Sequence, residues 1–280
     1  MKVACIQMCS GLDRSRNTQD AAALIREAAG EGAELILTPE MTNIVDRNPK
    51  RLFGELPYEN DLEEISTFSS LADELNIWLA IGSMAFTISG QEGNQRAANR
   101  GYLFGPDGRL ISTYDKIHMF DVDLPNGESW KESAIYAAGE TAAVVEMPGA
   151  KIGQTICYDL RFPALYRSLA QAGAEILMIP AAFTYQTGKA HWESLLRARA
   201  IETGSFVMAA AQGGDHEDGR KTWGHSMVID PWGEVIAVKP DTRPGIIIAD
   251  IDLAKVDKVR QQIPNLKLEK TPQITNVSVL

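Results

Sequence analysis

Three polar side chains stand just past apolar runs of strand length. Glu40 closes "AELILTPE", Lys116 follows "RLISTYD" and Cys157 closes "KIGQTIC". Taken singly, each has a plain explanation: a solvated carboxylate, a surface ammonium, a small buried hydrophobe. Taken together they are the parts of nucleophilic catalysis, because a thiol attacks once a base takes its proton and a positive neighbour favours the thiolate. Cys157 lies between a predicted strand and a helix predicted to begin near Pro163, a junction rather than a core position. A helix N-terminus presents backbone N–H groups and a partial positive charge. The Tyr158 N–H is therefore expected as one oxyanion donor, Lys116 as a second, and Glu40 as the base.

The elements that must position these groups are visible as alternating patterns. "KVACIQM" reads as a strand, "TQDAAALIREAAGEGA" as a helix ending near Gly30 or Gly32, and "ELILTPE" as a buried strand. "NDLEEISTFSSLADELN" has helical period and "IWLAIGSMAFT" the character of a strand. Hairpins are predicted about Gly105-Pro-Asp-Gly and about Pro148-Gly149. Then follow a helix in "PALYRSLAQAGA", a strand in "EILMIPAAF", a helix in "KAHWESLLRARAIETG" and strands in "SFVMAAAQ", "HSMVIDPWGEVIAV" and "GIIIADIDL". On that helix, Glu193 and Arg197 fall at i,i+4 and Arg199 and Glu202 at i,i+3, spacings that favour ion pairs. Interleaved strands and helices with several hairpins predict an α/β fold with a pair of mixed sheets covered by helices. No low-complexity linker divides the chain, so residues 1–265 are taken as one domain and the polar residues 266–280 as a C-terminal tail.

Composition narrows the function. The chain has 280 residues, 45% hydrophobic and 23% charged, with a formal net charge of -10. An acidic balance argues against a nucleic-acid or anionic-membrane partner. It leaves open an anionic small substrate, which feels only the charges lining its pocket. The chain contains three cysteines, Cys5, Cys9 and Cys157. Their odd number and spacing fit neither a disulfide framework nor a zinc site, and reduced thiols in the cytoplasm are expected. The N-terminus lacks the apolar core of a signal peptide, and no stretch is long enough to span a membrane. There is no G-x-G-x-x-G after the first strand and no P-loop, and the four histidines His118, His191, His216 and His225 show no HExxH spacing. No cofactor or metal is expected.

The stretches "LILTPEM", "YDKIHMFDVDLP" and "GQTICYDLRFP", in that order, resemble the nitrilase superfamily of carbon–nitrogen hydrolases, whose catalytic set is Glu, Lys and Cys. "AAFTYQTGKAHWESLLRARAIET" and "WGHSMVIDPWGEVIA" extend the likeness over about residues 2 to 255. The resemblance implies a nitrilase-like α-β-β-α sandwich, with two mixed sheets flanked by helices. It also implies a second glutamate between the Lys and Cys motifs, where "GESWKES" offers Glu128 and Glu132; the spacing of the family favours Glu132. Two carboxylates beside Lys116 would keep it an ammonium, an electrostatic stabiliser rather than a base. Arg161 is expected to meet a substrate carboxylate with its fork, or else to pair with Asp159 or another acid. Phe183, Thr184 and Thr187 match pocket-lining positions, with core packing the alternative for Phe183.

Within the superfamily the likeness points to the deaminated glutathione amidase branch. That branch hydrolyses its substrate to 2-oxoglutarate and cysteinylglycine through a cysteine thioester, a metabolite repair reaction. An ω-amidase acting on 2-oxoglutaramate is the nearest alternative, followed by another amidase, a nitrilase or a carbamoylase. A non-catalytic scaffold and a redox-sensing thiol protein stand further off, the latter needing Cys5 or Cys9 as a resolving partner. The resemblance also implies a homodimer or larger homo-oligomer, with "PALYRSLAQAGA" as a candidate interface.

Overall fold

The chain begins with β1 (Lys2–Gln7), α1 (Arg14–Gly30), β2 (Leu35–Leu37), α2 (Pro49–Glu55), α3 (Glu63–Leu75), β3 (Trp78–Ser89), β4 (Arg96–Phe104) and β5 (Leu110–Asp115). A short ribbon, β6 (Asp121–Asp123) with β7 (Ser129–Lys131), leads into β8 (Val144–Met147), β9 (Ala150–Gln154), α4 (Pro163–Gln171), β10 (Ile176–Met178), α5 (Tyr185–Thr203) and β11 (Phe206–Ala209). A second ribbon, β12 (Gly213–Asp215) with β13 (Lys221–Trp223), precedes β14 (Met227–Ile229), β15 (Val235–Val238), β16 (Gly245–Asp250) and α6 (Ala254–Gln262). The structure, a computed structural model, describes residues 1–89, 95–124, 127 and 129–276.

Two six-stranded mixed sheets form, ordered β16-β1-β2-β3-β4-β5 and β15-β14-β11-β10-β9-β8. In the first, β1, β2 and β3 run parallel, flanked by antiparallel β16 on one side and β4 and β5 on the other. In the second, β9, β10 and β11 run parallel, flanked by antiparallel β8, β14 and β15. The two sheets therefore repeat one pairing scheme.

Strand alternation sends side chains into two kinds of core. Val3, Cys5, Leu35 and Leu37 point inward against Ile152, Ile176, Met178 and Met208 of the other sheet. The intervening Ala4, Ile6 and Ile36 point outward, under Ile25 and Ala28 of α1 and Phe68 and Leu71 of α3. On the opposite side Leu177, Val207 and Ala209 lie beneath Tyr166 and Leu169 of α4 and Trp192, Leu196 and Ala200 of α5. Burial on both faces is why the short parallel strands read as continuous apolar runs. The result is the α-β-β-α sandwich expected above.

Local signals set the helix ends. Asp13 caps α1 by accepting the Arg16 N–H, and Asn76 ends α3 in the left-handed region at φ 53°. Thr184 caps α5 and Gly204 terminates it. The expected helix pairs form on α5, Glu193–Arg197 at 3.7 Å and Arg199–Glu202 at 2.7 Å. Three details go beyond the sequence expectations. The "ELILTPE" strand pairs only over Leu35–Leu37, which frees Thr38-Pro39-Glu40 to turn at its carboxyl end. The helix expected near Pro163 starts there as α4, and a 3-10 turn over Cys157–Arg161, absent from the sequence reading, precedes it. The segment after β16 contains α6, which buries Val256 and Val259. No helix of the described residues is long and apolar enough to cross a membrane.

Candidate active site

The polar groups gather past the carboxyl ends of β2 and β9 and beyond β5, the rim where α/β sheets assemble sites. Glu40 sits three residues past β2, and Met41 after it adopts φ 57°. That turn is tied down from several sides. The Met41 N–H donates to Ser83 Oγ at 2.9 Å, and Gln212 Nε2 donates to the carbonyls of Glu40 at 3.0 Å and Met41 at 3.2 Å. Cys157, three residues past β9, takes φ 51°, and its N–H donates to the Pro180 carbonyl at 2.8 Å. A left-handed non-glycine residue costs on the order of 1–3 kcal/mol and persists only where its surroundings enforce it. Here the enforcing group is Asp159. Its buried carboxylate accepts from the Ile156 N–H at 2.9 Å, the Tyr114 hydroxyl at 2.7 Å and the His118 N–H at 3.0 Å.

Glu40, Lys116, Glu132 and Cys157 form one connected cluster. Lys116 Nζ donates to Glu40 Oε1 at 2.8 Å and to Glu132 Oε1 and Oε2 at 2.9 and 2.8 Å. Asn99 Nδ2 reaches Glu40 Oε1 at 2.9 Å and Glu132 Oε1 at 3.4 Å. The Ala182 N–H donates to Glu40 Oε2 at 2.8 Å, and the Phe120 N–H to Glu132 Oε2 at 2.6 Å. The Cys157 thiol lies against this cluster, close enough for the Glu40 charge to raise its pKa and the Lys116 ammonium to lower it. Glu128 lies outside the described residues.

Burial and charge set the resting protonation. Burial alone would raise the Glu40 pKa, but the Lys116 ammonium and the donors from Cys157, Lys116 and Asn99 prevail and hold it below the ordinary glutamate value. For Lys116, burial opposes the charge, and Glu132 and Glu40 outweigh it, holding the pKa well above normal. Cys157 is pushed well above the ordinary thiol, first by burial and then by the Glu40 charge, against the pull of Lys116. The resting site holds a neutral thiol near a carboxylate that is paired with an ammonium. Such a site forms a thiolate only as the carboxylate takes the proton.

All of the sequence-predicted residues among those described line one cavity of about 730 Å³. Cys157 is 7% exposed, more enclosed than a junction residue was expected to be, yet its side chain still faces this space. Among the described residues the Tyr158 N–H has no acceptor. Arg161 does not pair with Asp159, which is buried and spent on the Cys157 turn. Its guanidinium instead rests over Phe183 at 5.3 Å and Tyr158 at 5.9 Å, with Nη2 3.3 Å from His191 Nδ1. Phe183 packs on Trp192 at 4.9 Å between ring centroids. Thr184 and Thr187 bond each other through their hydroxyls at 2.9 Å at the start of α5.

Residues 2–261 match the family described as carbon-nitrogen hydrolase. A deaminated glutathione amidase of Mus musculus is 42% identical over 264 residues, covering 94% of this chain and 81% of the relative. The chain belongs to the carbon-nitrogen hydrolase family. A human omega-amidase is 37% identical over 270 residues, covering 96% of this hydrolase and 95% of the relative. The crystal structure of the C. elegans NitFhit protein superposes with a TM-score of 0.87 at 36% identity. That match covers 96% of the hydrolase and 65% of the NitFhit chain, so the hydrolase spans about two-thirds of that relative's length.

Four residues that hold the hydrolase site were not singled out from its sequence. Asn99 sits inside β4 and joins both carboxylates, and Asp159 locks the turn of Cys157 instead of pairing with Arg161. Ser83 and Gln212 fix the Glu40 turn. The one signal available was a polar residue inside a strand-like stretch, Asn99 in "RAANRGYLF" and Ser83 in the largely apolar "AIGSMAF". A buried polar group must find partners, which marks such positions without naming the partners.

Proposed function

We propose that this hydrolase is an amidase that cleaves the amide bond of deaminated glutathione to 2-oxoglutarate and cysteinylglycine. In this reading Glu40 takes the Cys157 proton as sulfur attacks the carbonyl carbon. The Tyr158 N–H and the Lys116 ammonium stabilise the tetrahedral oxyanion, each such donor worth about 3 kcal/mol of barrier. Glu40 returns the proton to the departing amine as the C–N bond breaks, leaving a thioester. It then deprotonates the water that releases the acid. Glu132 and Asn99 hold Lys116 and Glu40 in register for both halves. Arg161 binds the carboxylate of the 2-oxo acid.

The observation that carries this reading is the hydrogen-bonded pair of the Glu40 carboxylate and the Lys116 ammonium, which line one cavity together with the neutral Cys157 thiol. The 42% identity to a deaminated glutathione amidase supports the choice of substrate. The 37% identity to an omega-amidase favours a second reading, hydrolysis of 2-oxoglutaramate with release of ammonia at the same site. Steady-state assays of both amides and a simple nitrile test the choice. Deaminated glutathione is expected to have the highest kcat/KM, and a strong preference for the nitrile overturns the amidase reading.

We read residues 1–265 as the hydrolase domain and 266–280 as a tail, and we take the working unit to be a homodimer or larger homo-oligomer of the reducing cytoplasm, with α4 as a candidate contact. The redox-sensor reading is disfavoured by Cys9, whose sulfur lies by the Asp215 carbonyl at 3.6 Å and His216 Nδ1 at 3.9 Å, and by Cys5, which is buried in β1.

A further inference from the structure

Six lysines and arginines line the cavity against three carboxylates, in a chain whose net charge is -10. Two of the carboxylates, Glu40 and Glu132, are spent on Lys116, and the third, Asp46, is held by a fork from Arg51 at 2.6 and 2.8 Å. The remaining positive charge is not spread evenly. Arg161 stands on the turn of the nucleophile. A separate corner is built from Arg47 and Arg220 around Asp218.

That corner has a surplus cation. The Asp218 side chain is fully buried and accepts from Arg220 Nε at 2.7 Å and from the Arg47 and Arg220 backbone N–H groups, each at 3.0 Å. It neutralises one guanidinium. Arg47 makes no ion pair among the described residues, and its Nη2 stands so close to Gly219 that a Cβ there would lie 3.3 Å away. Arg220 stacks over the Trp130 ring at 5.1 Å, and among the described residues its guanidinium hydrogen-bonds through Nε alone, to Asp218. Trp130, Phe120 and Tyr158 contact in sequence at 6.2 and 5.1 Å, so an aromatic wall runs from the Arg220 corner to the Arg161 side.

One cavity thus offers guanidinium groups from two separate elements with the reactive sulfur among its lining. A substrate with one carboxylate can satisfy one of them. The volume fits the same conclusion. A five-carbon amide leaves most of about 730 Å³ empty, whereas cavities of this size ordinarily enclose much larger ligands.

We propose that the Arg47–Arg220 corner is a second anion subsite that reads a carboxylate on the amine side of the scissile amide. The preferred substrates are then dianions with one carboxylate on each side of the bond that breaks. This rests on the amidase reading above, with Arg161 serving the acyl side. Planar, paired donors suit a carboxylate better than a point charge does.

The test pairs substrate with enzyme. Wild-type enzyme and the variants Arg47→Gln and Arg220→Lys are assayed with deaminated glutathione, with its C-terminal amide, and with 2-oxoglutaramate. Arg220→Lys keeps a cation beside Asp218, and Arg47→Gln leaves the Asp218 bonds to backbone and Arg220 in place, so circular dichroism and Tm report whether either fold has changed. In wild type, amidating the terminal carboxylate is expected to lower kcat/KM by roughly 10- to 100-fold, the range for a hydrogen-bonded charge. In each variant the ratio between acid and amide is expected to shrink toward one. An equal kcat/KM for acid and amide in wild type overturns the second subsite while leaving the amidase reading intact. So does a ratio that survives both substitutions. Absence of turnover of all three compounds by wild type overturns the amidase reading and the subsite with it.

Discussion

A thiol buried beside a carboxylate and an ammonium behaves differently from one beside an ammonium alone. Burial and the Glu40 charge both oppose ionisation of Cys157, while Lys116 favours it. Replacing Glu40 by Gln removes a repulsion and keeps the attraction. Ultraviolet titration of thiolate in Glu40→Gln, with a Cys157→Ala variant as baseline, is expected to place the Cys157 transition at lower pH than in wild type. Turnover should fall by about 10²- to 10⁴-fold because the proton acceptor is gone. The same electrostatics set the pH profile. Glu40 is held below the ordinary glutamate value and Lys116 well above the ordinary lysine value. Glu40 therefore stays ionised down past about pH 4.3 and Lys116 stays charged up past about pH 10.4. The plateau of kcat/KM is expected to extend from about pH 5 to at least pH 9. A half-maximal acid limb near pH 6 would contradict the assignment of Glu40 as base. At this scale Glu40, Lys116 and Cys157 were legible because each ends an apolar run. Asn99 and Asp159 were not, because their roles depend on partners distant in sequence.

At the scale of elements, the site depends on how closely two loops approach. Gly82 in β3 lies where the loop after β2 meets the loop after β10. A Cβ there would stand 2.1 Å from the Thr38 carbonyl, 2.6 Å from the Pro39 carbonyl and 2.4 Å from Pro180 Cβ. Pro39 precedes Glu40, and the Pro180 carbonyl receives the Cys157 N–H. Gly82→Ala must therefore part the carboxylate from the thiol. Overpacking of this kind costs about 1–3 kcal/mol, and a displacement near 1 Å costs on the order of 10²-fold in rate. Thermal unfolding and kcat measured together should show both losses, and an unchanged kcat would dismiss the close-approach argument. The long helices and buried strands were readable in the sequence, since periodicity survives wherever a face is buried. The ribbons β6–β7 and β12–β13 were not. Each strand has only three residues and mixed polarity, too short for alternation to register. The 3-10 turn after Cys157 escaped for a related reason: Pro163 signals a helix start without showing that the preceding residues already turn.

Across the whole molecule the two sheets share one pairing scheme, and the site draws on both. Glu40, Asn99 and Lys116 come from the loops and strands of the first sheet, and Cys157 and Ala182 from those of the second. The chemistry thus exists only when the sandwich closes. The tail adds little to that closure. Beyond α6 its described residues are largely exposed, with Leu268 at 70% and Ile274 at 86%. Its ties to the domain include the pairing of Glu269 with Arg167 and a bond to Gln171. An exposed ion pair contributes about 0–1 kcal/mol. Truncation after residue 265 is expected to shift Tm by no more than about 2–4 °C and leave kcat unchanged; loss of the folded state would make 266–280 part of the domain. The sandwich was legible as a fold class, but the meeting of its halves was not, because no local pattern records which rim faces which. The most direct measurement is therefore the mass of the enzyme quenched in acid during turnover of deaminated glutathione. One 2-oxoglutaryl group on the peptide carrying Cys157, absent from Cys157→Ala, is the expected result. Turnover that persists in Cys157→Ala, with no adduct on Cys157 in the wild type, would contradict it.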